Sequence, residues 1–158
     1  MGSMHYKITF YSDWHCGSGL SSGVGVNERV IRDREGFPFI PGRTIKGLLR
    51  EAAETIGTCT WGREEWDEFI HTCFGRGTGK GESGKQDYPR ASGTCFFGNA
   101  ELYEDVVCYI KATPAAKALL FRQITFTAVN PGGTAKDNSL RKAEVAVPVE
   151  LFGVIDGC

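Results

Sequence analysis

Three basic residues, Arg43, Lys46 and Arg50, are spaced three and four positions apart in the sequence. On a helix this spacing brings side chains to one side, so the three would form a row of cations. Such a row can donate to the phosphates of a nucleic-acid backbone without any preference for base sequence. The alternative is an ordinary solvated helix face, partly paired with Glu51 and Glu54.

A histidine, His15, lies in a segment from Trp14 to Gly25 that contains four glycines. So many glycines predict a flexible or ligand-shaped loop instead of regular structure. A histidine in such a loop can contact nucleic acid or act as a general acid or base. The alternative is a histidine that is structural or merely exposed.

A second basic segment runs from Gly75 to Gly93 and has almost no apolar residues. Such a segment buries too little surface to offset its ordering entropy, so we predict a flexible loop. Its cations are Arg76, Lys80, Lys85 and Arg90. The loop could order over a nucleic-acid strand by pairing charge and by stacking a base on Tyr88, or it could be a disordered insertion.

Six cysteines are present without a CxxC pair, which argues against a disulfide framework. Four residues are weak candidates for zinc ligands, namely Cys59, His71, Cys73 and Cys95. Their spacing lacks the close pairs that characterise structural zinc sites. We therefore predict buried thiols and no metal site.

The basic row needs a helix to carry it, and the segment from Arg43 to Thr55 has a helical period. Its apolar positions share one face, and they are Ile45, Leu48, Leu49, Ala52 and Ile56. Gly57 is placed to end this helix. Gly47 in its middle costs about 1 kcal/mol relative to alanine, which indicates that a strand or a bound backbone packs closely there.

The other predicted elements are short strands and helices. They are a strand from His5 to Ser12 paired with Arg29 to Asp33, a helix from Arg63 to Phe74, a strand from Thr94 to Leu102, a helix from Ala115 to Phe121, and strands from Gln123 to Val129 and from Lys142 to Ile155.

The length of 158 residues, with 41% hydrophobic and 23% charged residues, predicts one globular domain. We place it at 4–158, because Met1 to Ser3 resemble a remnant of an expression vector. No apolar run is long enough to span a membrane and no signal peptide is evident, so we expect a cytoplasmic protein. The net charge of -1 lacks the excess of positive charge that is typical of a nucleic-acid-binding domain.

The segment from Val30 to Arg50 closely resembles a signature of backbone subunits in type III CRISPR complexes. In that signature V-I-x-D precedes G-x-P-x-I-P-G-[ST]-x-x-K-G-x-x-R, which enters the first helix. Three further pieces appear in the same order as in the family, and they are W-H-C-G at 14–17, F-G at 74–75 with F-G-N-A at 97–100, and S-L-R at 139–141 with Glu144. By this resemblance the chain is identified as a member of the RAMP (repeat-associated mysterious protein) superfamily.

The resemblance implies an α+β fold with a ferredoxin-like, RRM-related core, an antiparallel sheet and helices on one face. It implies subunits that line up along a CRISPR RNA and grip its phosphates, with target RNA and other effector subunits as partners. Relatives usually continue with a helix and a final strand, so the resemblance implies a C-terminally truncated domain, an excised fragment, or a protein that completes its sheet by pairing with another copy. An unfinished sheet would leave an exposed edge, which predicts self-association.

In relatives that cut target RNA, the resemblance implies an aspartate six residues before the aspartate of V-I-x-D. Counting back from Asp33 gives Asn27, which lacks the charge that a Mg²⁺ site needs. Glu28 is adjacent and could substitute, so the catalytic candidates are Glu28 and Asp33. We rank an RNA-binding subunit without a cofactor above a Mg²⁺-dependent endoribonuclease, and a truncated interaction domain without RNA binding is a third alternative.

Overall fold

The computed structural model describes residues 2–17, 28–59, 63–76, 91–128, 130, 132–134 and 140–157. Its helices and strands, in chain order, are β1 (Ser3–Thr9), α1 (Gly42–Cys59), α2 (Arg63–Phe74), β2 (Gly75–Arg76), β3 (Ala91–Ser92), β4 (Phe96–Phe97), β5 (Glu101–Leu102), α3 (Glu104–Ala112), α4 (Pro114–Ala118), β6 (Phe121–Phe126), β7 (Arg141–Ala146) and β8 (Glu150–Asp156). Among these described residues, no helix is long and apolar enough to cross a membrane.

Four strands form one sheet in the order β1-β8-β4, with β5 also pairing with β8. Two further pairs are β2 with β3 and β6 with β7. The pairings of β2 with β3, of β4 and β5 with β8, and of β6 with β7 are antiparallel. The predicted class, α+β with antiparallel sheet, is therefore confirmed.

The chain divides into two compact units. The first contains Met1–Tyr6, Pro41–Ala100 and Gly153–Cys158. The second contains Lys7–Ile40 and Glu101–Phe152.

In the first unit, α1 and α2 pack around a small core of Ala53, Ile70 and Phe74. The indole nitrogen of Trp66 on α2 donates a hydrogen bond of 2.6 Å to the Ala53 carbonyl on α1. The rings of Phe74 and Phe97 stack with centroids 5.4 Å apart, so β4 adds to the same core. The helix predicted from Arg63 to Phe74 has the predicted bounds.

The first helix, α1, runs on past the predicted stop at Gly57 and ends at Cys59. Gly57 is buried, and a Cβ atom added there would lie 2.1 Å from Cδ1 of Trp66. Glycine is therefore required at this position for helix packing, and the prediction that it ends the helix is wrong.

The apolar face that the sequence predicts for α1 is only partly buried. Ile45 is 5% exposed, but Leu48 is 59%, Leu49 41% and Ile56 51% exposed. A Cβ atom added at Gly47 would meet nothing within 4 Å in the described part of the chain. The expected close strand at Gly47 is therefore absent from the residues that the structure describes.

In the second unit, β6 and β7 pair along their whole length, from Phe121 opposite Ala146 to Phe126 opposite Arg141. Trp14 is buried beside this pair and stacks on Phe10 with centroids 4.5 Å apart. Its indole nitrogen donates a hydrogen bond of 3.0 Å to the Val147 carbonyl. The buried apolar side chains of this unit include Val30, Phe37, Ile40, Ile110, Leu120, Val145 and Leu151.

Several strand predictions are corrected. The pairing predicted for the first strand with Arg29 to Asp33 is wrong, because β1 neighbours β8. The strand predicted from Thr94 to Leu102 is two strands, β4 and β5, and the one from Lys142 to Ile155 is also two, β7 and β8. The helix α3 was not predicted.

The ends of the predicted flexible loop at 75–93 are ordered, because Gly75 pairs with Ser92 and Arg76 with Ala91. Residues 77–90 lie outside the described residues. The prediction that most cysteines are buried is wrong, because among the five described cysteines only Cys95 is buried.

Candidate functional site

The first turn of α1 is held by bonds within its own unit. The Gly42 amide donates to Asn99 Oδ1 at 3.0 Å, and the amides of Thr44 and Ile45 donate to the Pro41 carbonyl at 2.8 and 3.2 Å. Two pieces of the sequence signature, 41–42 and 97–100, therefore meet at this helix end. These three amides are therefore satisfied within the unit and are not free to bind an anion at the helix N-terminus.

The first two cations of the basic row remain available. The Arg43 side chain is exposed, and Lys46 is half-buried with Nζ 5.9 Å from the Phe97 ring centroid. No carboxylate within the described ranges forms an ion pair with either residue. Their two positive charges can therefore be offered to an external anion.

The third cation, Arg50, is engaged inside the unit. Its Nε lies 2.7 Å from Oε1 of Glu54, one turn along α1, and its NH1 group donates to the Gly75 carbonyl at 3.2 Å. This pairing matches the alternative of a partly paired helix face. Arg50 therefore ties α1 to β2, although its guanidinium has five N–H donors and two bonds use only part of them.

Gly47 follows Lys46 on an exposed part of α1. A Cβ atom there would meet nothing within 4 Å among the described residues, so none of them covers the helix backbone at this point. A ligand backbone can approach a glycine more closely than any other residue. Arg43, Lys46 and Gly47 together define the surface that we call the α1 surface.

In the second unit, His15 and Glu28 are brought together. His15 Nδ1 lies 2.8 Å from the Glu144 carbonyl, which can only accept, so this nitrogen carries the proton. Nε2 is left 3.8 Å from a carboxylate oxygen of Glu28, whose side chain is 61% exposed. The arrangement is a histidine of fixed tautomer beside an exposed carboxylate, and the 3.8 Å separation is too long for a hydrogen bond between them.

The carboxyl group of Glu144 organises this part of the unit. It accepts from the Val30 amide at 3.2 Å and from the Arg32 guanidinium at 2.8 Å. The signature residues at 14–17, 30–33 and 144 therefore converge on one cluster. Nothing in the sequence pattern itself pairs residues that lie more than 100 positions apart.

The second catalytic candidate, Asp33, holds a turn. Its Oδ1 atom accepts from the amides of Glu35 and Phe37 at 2.8 and 2.9 Å, and its carbonyl accepts from Gly36. These bonds are typical of an aspartate that stabilises a turn. Asp33 therefore has a structural role that is sufficient to explain it.

Some predicted residues lie outside the described ranges, namely Asn27, Lys80, Lys85 and Arg90. Among the described residues, no group of three or more His, Cys, Asp or Glu side chains is arranged to hold a metal ion. Cys59, His71, Cys73 and Cys95 are therefore not brought together as a zinc site. Glu28 and Asp33 likewise provide no Mg²⁺ site on their own.

Comparison with known proteins agrees with the sequence signature. A sequence profile of the RAMP superfamily matches residues 7–145, and no curated protein matches the chain. A chain in a cryo-EM structure of a Type III-B Cmr-beta complex bound to cognate target RNA has a TM-score of 0.73 and 10% identity, covering 98% of this chain and 84% of that one. A chain in the apo state of Type III-B Cmr-beta has a TM-score of 0.64 and 10% identity, covering 97% and 83%.

At this low identity the structural likeness shows the fold, which fits the predicted ferredoxin-like class. The family follows from the sequence profile, which extends over most of the chain. This chain belongs to the RAMP superfamily.

Proposed function

We propose that this chain is a subunit of a type III CRISPR effector complex that holds guide RNA by its phosphates along the α1 surface. The observation that carries this proposal is the pair of cations, Arg43 and Lys46, that no described carboxylate neutralises, beside the bare backbone of Gly47. Contacts to phosphates ignore base identity, so they suit a scaffold that must hold any guide sequence.

The family and the fold support this proposal. One similar structure is of a complex bound to cognate target RNA, which favours RNA and other effector subunits as partners of this chain. The exposed Leu48 and Ile56 on α1 offer apolar surface that a neighbouring subunit could cover. Self-association belongs to the same proposal. The binding role needs no cofactor.

The proposal is tested by measuring the affinity of mixed-sequence single-stranded RNA for the parent protein and for Lys46→Ala. Loss of one charge-assisted hydrogen bond is expected to weaken binding about tenfold at low salt. The matched control is Lys7→Ala, because Lys7 already forms an ion pair with Glu150 at 2.8 Å. Equal affinities of all three proteins would contradict the role of the α1 surface.

One outcome favours the interaction-domain alternative. A protein that is folded and self-associated, but that binds no RNA even at low salt, would be an interaction domain without RNA binding. In that case the α1 surface would be a protein contact.

A second function, cleavage of bound RNA, is favoured by the exposed Glu28 carboxylate beside His15. Because the described residues form no metal centre, we derive no catalytic step through Mg²⁺. Incubation of the assembled complex with complementary RNA and Mg²⁺ tests this function. Regularly spaced cuts that are lost in Glu28→Gln and in EDTA would support a metal-dependent nuclease, whereas uncut RNA would leave binding as the whole activity.

A further inference from the structure

The second unit contains a cation-lined recess that plays no part in the α1 surface. It has a volume of about 580 Å³, and we call it the β6 recess because part of its wall is β6. The lining residues that matter for its chemistry are Arg32, Lys117, Phe121, Arg122, Gln123 and Glu144. The volume lies within the range of small-molecule sites, about 300–1,000 Å³.

Both arginines of the recess are held in place by carboxylates. An NH2 group of Arg32 lies 2.8 Å from Glu144, and its Cζ atom lies 3.8 Å from the centroid of the Phe121 ring. An NH2 group of Arg122 lies 2.8 Å from Asp13. Each pair cancels one charge but leaves further N–H donors on the guanidinium that a ligand can use.

The remaining cation, Lys117, has neutral partners. Its ammonium donates to the Glu35 carbonyl and lies 4.8 Å from the Phe37 ring centroid. The Glu35 carboxylate is itself paired with Lys111 at 2.7 Å. Within the part of the chain that the structure describes, no ion pair joins Lys117 to a carboxylate. The lining therefore carries one positive charge that is not compensated.

The position of Lys117 depends on the turn below it. Gly36 has φ +83°, and a Cβ atom added there would lie 3.2 Å from both Cε and Nζ of Lys117. This backbone conformation favours glycine, and the missing side chain leaves room for the lysine. The turn that Asp33 stabilises therefore also positions the ammonium group.

We propose that the β6 recess binds one phosphorylated nucleotide, with the phosphate at Lys117 and Arg122. The uncompensated charge and the spare guanidinium donors suit a phosphate group. The volume is far greater than a phosphate alone needs, and the Arg32–Phe121 stack offers a flat surface for a base. The Gln123 amide, which can both donate and accept, is available to a polar base edge.

The same chemistry is presented by a free nucleotide and by a nucleotide within an RNA strand. Two probes distinguish these sources, uridine monophosphate and a fluorescently labelled single-stranded RNA. Binding of each is measured for the parent protein, for Lys117→Gln and for Arg122→Gln. The control is Lys7→Ala, which removes an ion-paired cation of the same unit outside the recess.

We expect Lys117→Gln to weaken binding of at least one probe about tenfold, and Lys117→Arg to restore most of it. Weaker binding of the monophosphate identifies a free nucleotide, and weaker binding of RNA alone identifies a nucleotide within a strand. The proposal is overturned if both probes bind Lys117→Gln and Arg122→Gln as tightly as they bind Lys7→Ala. Because the α1 variants leave this recess intact, its failure and that of the α1 surface are distinguishable.

Discussion

Two glycines on α1, Gly47 and Gly57, have opposite surroundings. A Cβ atom at Gly57 would overlap the ring of Trp66, whereas one at Gly47 would meet nothing within 4 Å of the described residues. The Trp66 ring cannot yield easily, because its indole nitrogen is bonded to the Ala53 carbonyl at 2.6 Å. Packing therefore requires Gly57, whereas no packing contact within the described residues requires Gly47.

Gly57→Ala is expected to lower the free energy of unfolding by about 1–3 kcal/mol, because the added methyl group overpacks the contact between α1 and α2. Chemical denaturation measures this change. The matched control is Gly47→Ala, which is expected to raise the free energy of unfolding by about 0.5–1 kcal/mol through better helix propensity. Similar effects of the two substitutions would contradict the described packing.

The candidate residues could be chosen from the sequence, but their surroundings could not. The spacing of Arg43, Lys46 and Arg50 indicates one side of a helix. The ion pair of Arg50 with Glu54 agrees with the alternative of a helix face that is partly paired. The convergence of His15 and Glu144 follows from pairings across more than 100 residues, which no local pattern encodes.

Among the elements, the helix α2 was predictable because a helical period is a local signal, whereas the antiparallel class was implied by the family resemblance. The apolar positions of α1 were predicted to share one face, and two of them, Leu48 and Ile56, are more than half exposed. A periodic pattern reveals that a helix has an apolar face but not whether the same chain covers it. The long predicted strand from Lys142 to Ile155 is interrupted around Pro148, where the chain turns from β7 into β8.

A testable ion pair joins Lys7 of β1 to Glu150 of β8, and both residues belong to the second unit. Lys7 donates to Glu150 at 2.8 Å, and this hydrogen bond lowers the pKa of the Glu150 carboxyl from its ordinary 4.5 and raises the pKa of Lys7 from 10.5. Because the pKa of Glu150 is lower in the folded protein than in the unfolded chain, the ion pair stabilises the fold at pH values above 4.5. This stabilisation is lost as the pH falls through the lowered pKa of the folded state. Because the pKa of Lys7 is raised in the folded protein, its contribution to stability is fully present below pH 10.5 and is lost as the pH rises through the raised pKa.

Glu150→Gln is therefore expected to be slightly less stable than the parent protein at neutral pH and equally stable in acid, below the lowered pKa. The difference should be small and should shrink in high salt, because both side chains are half exposed. Urea denaturation at the two pH values measures it. A stability difference that persists unchanged in acid would show that the ion pair is not its cause.

For the whole molecule, the net charge of -1 means that RNA binding cannot come from a general electrostatic attraction. The proposed RNA binding must therefore come from local groups of cations, such as those on the α1 surface. If Arg43 and Lys46 are the phosphate contacts, the logarithm of the RNA affinity should fall with the logarithm of the salt concentration with a slope of about -1.4, since each contact contributes about 0.7.

This slope is measured by titrating single-stranded RNA at several salt concentrations. Lys46→Ala should reduce its magnitude by about 0.7. A slope near zero would exclude phosphate contacts, and a steeper slope that Lys46→Ala leaves unchanged would assign binding to other cations.

The most direct test of the α1 surface is the RNA affinity of Gly47→Ala, measured beside its stability. If an RNA backbone lies against the bare helix at Gly47, the added methyl group should weaken RNA binding severalfold while the protein itself becomes more stable. A variant that is more stable and binds RNA as tightly as the parent protein, or more tightly, would contradict the account.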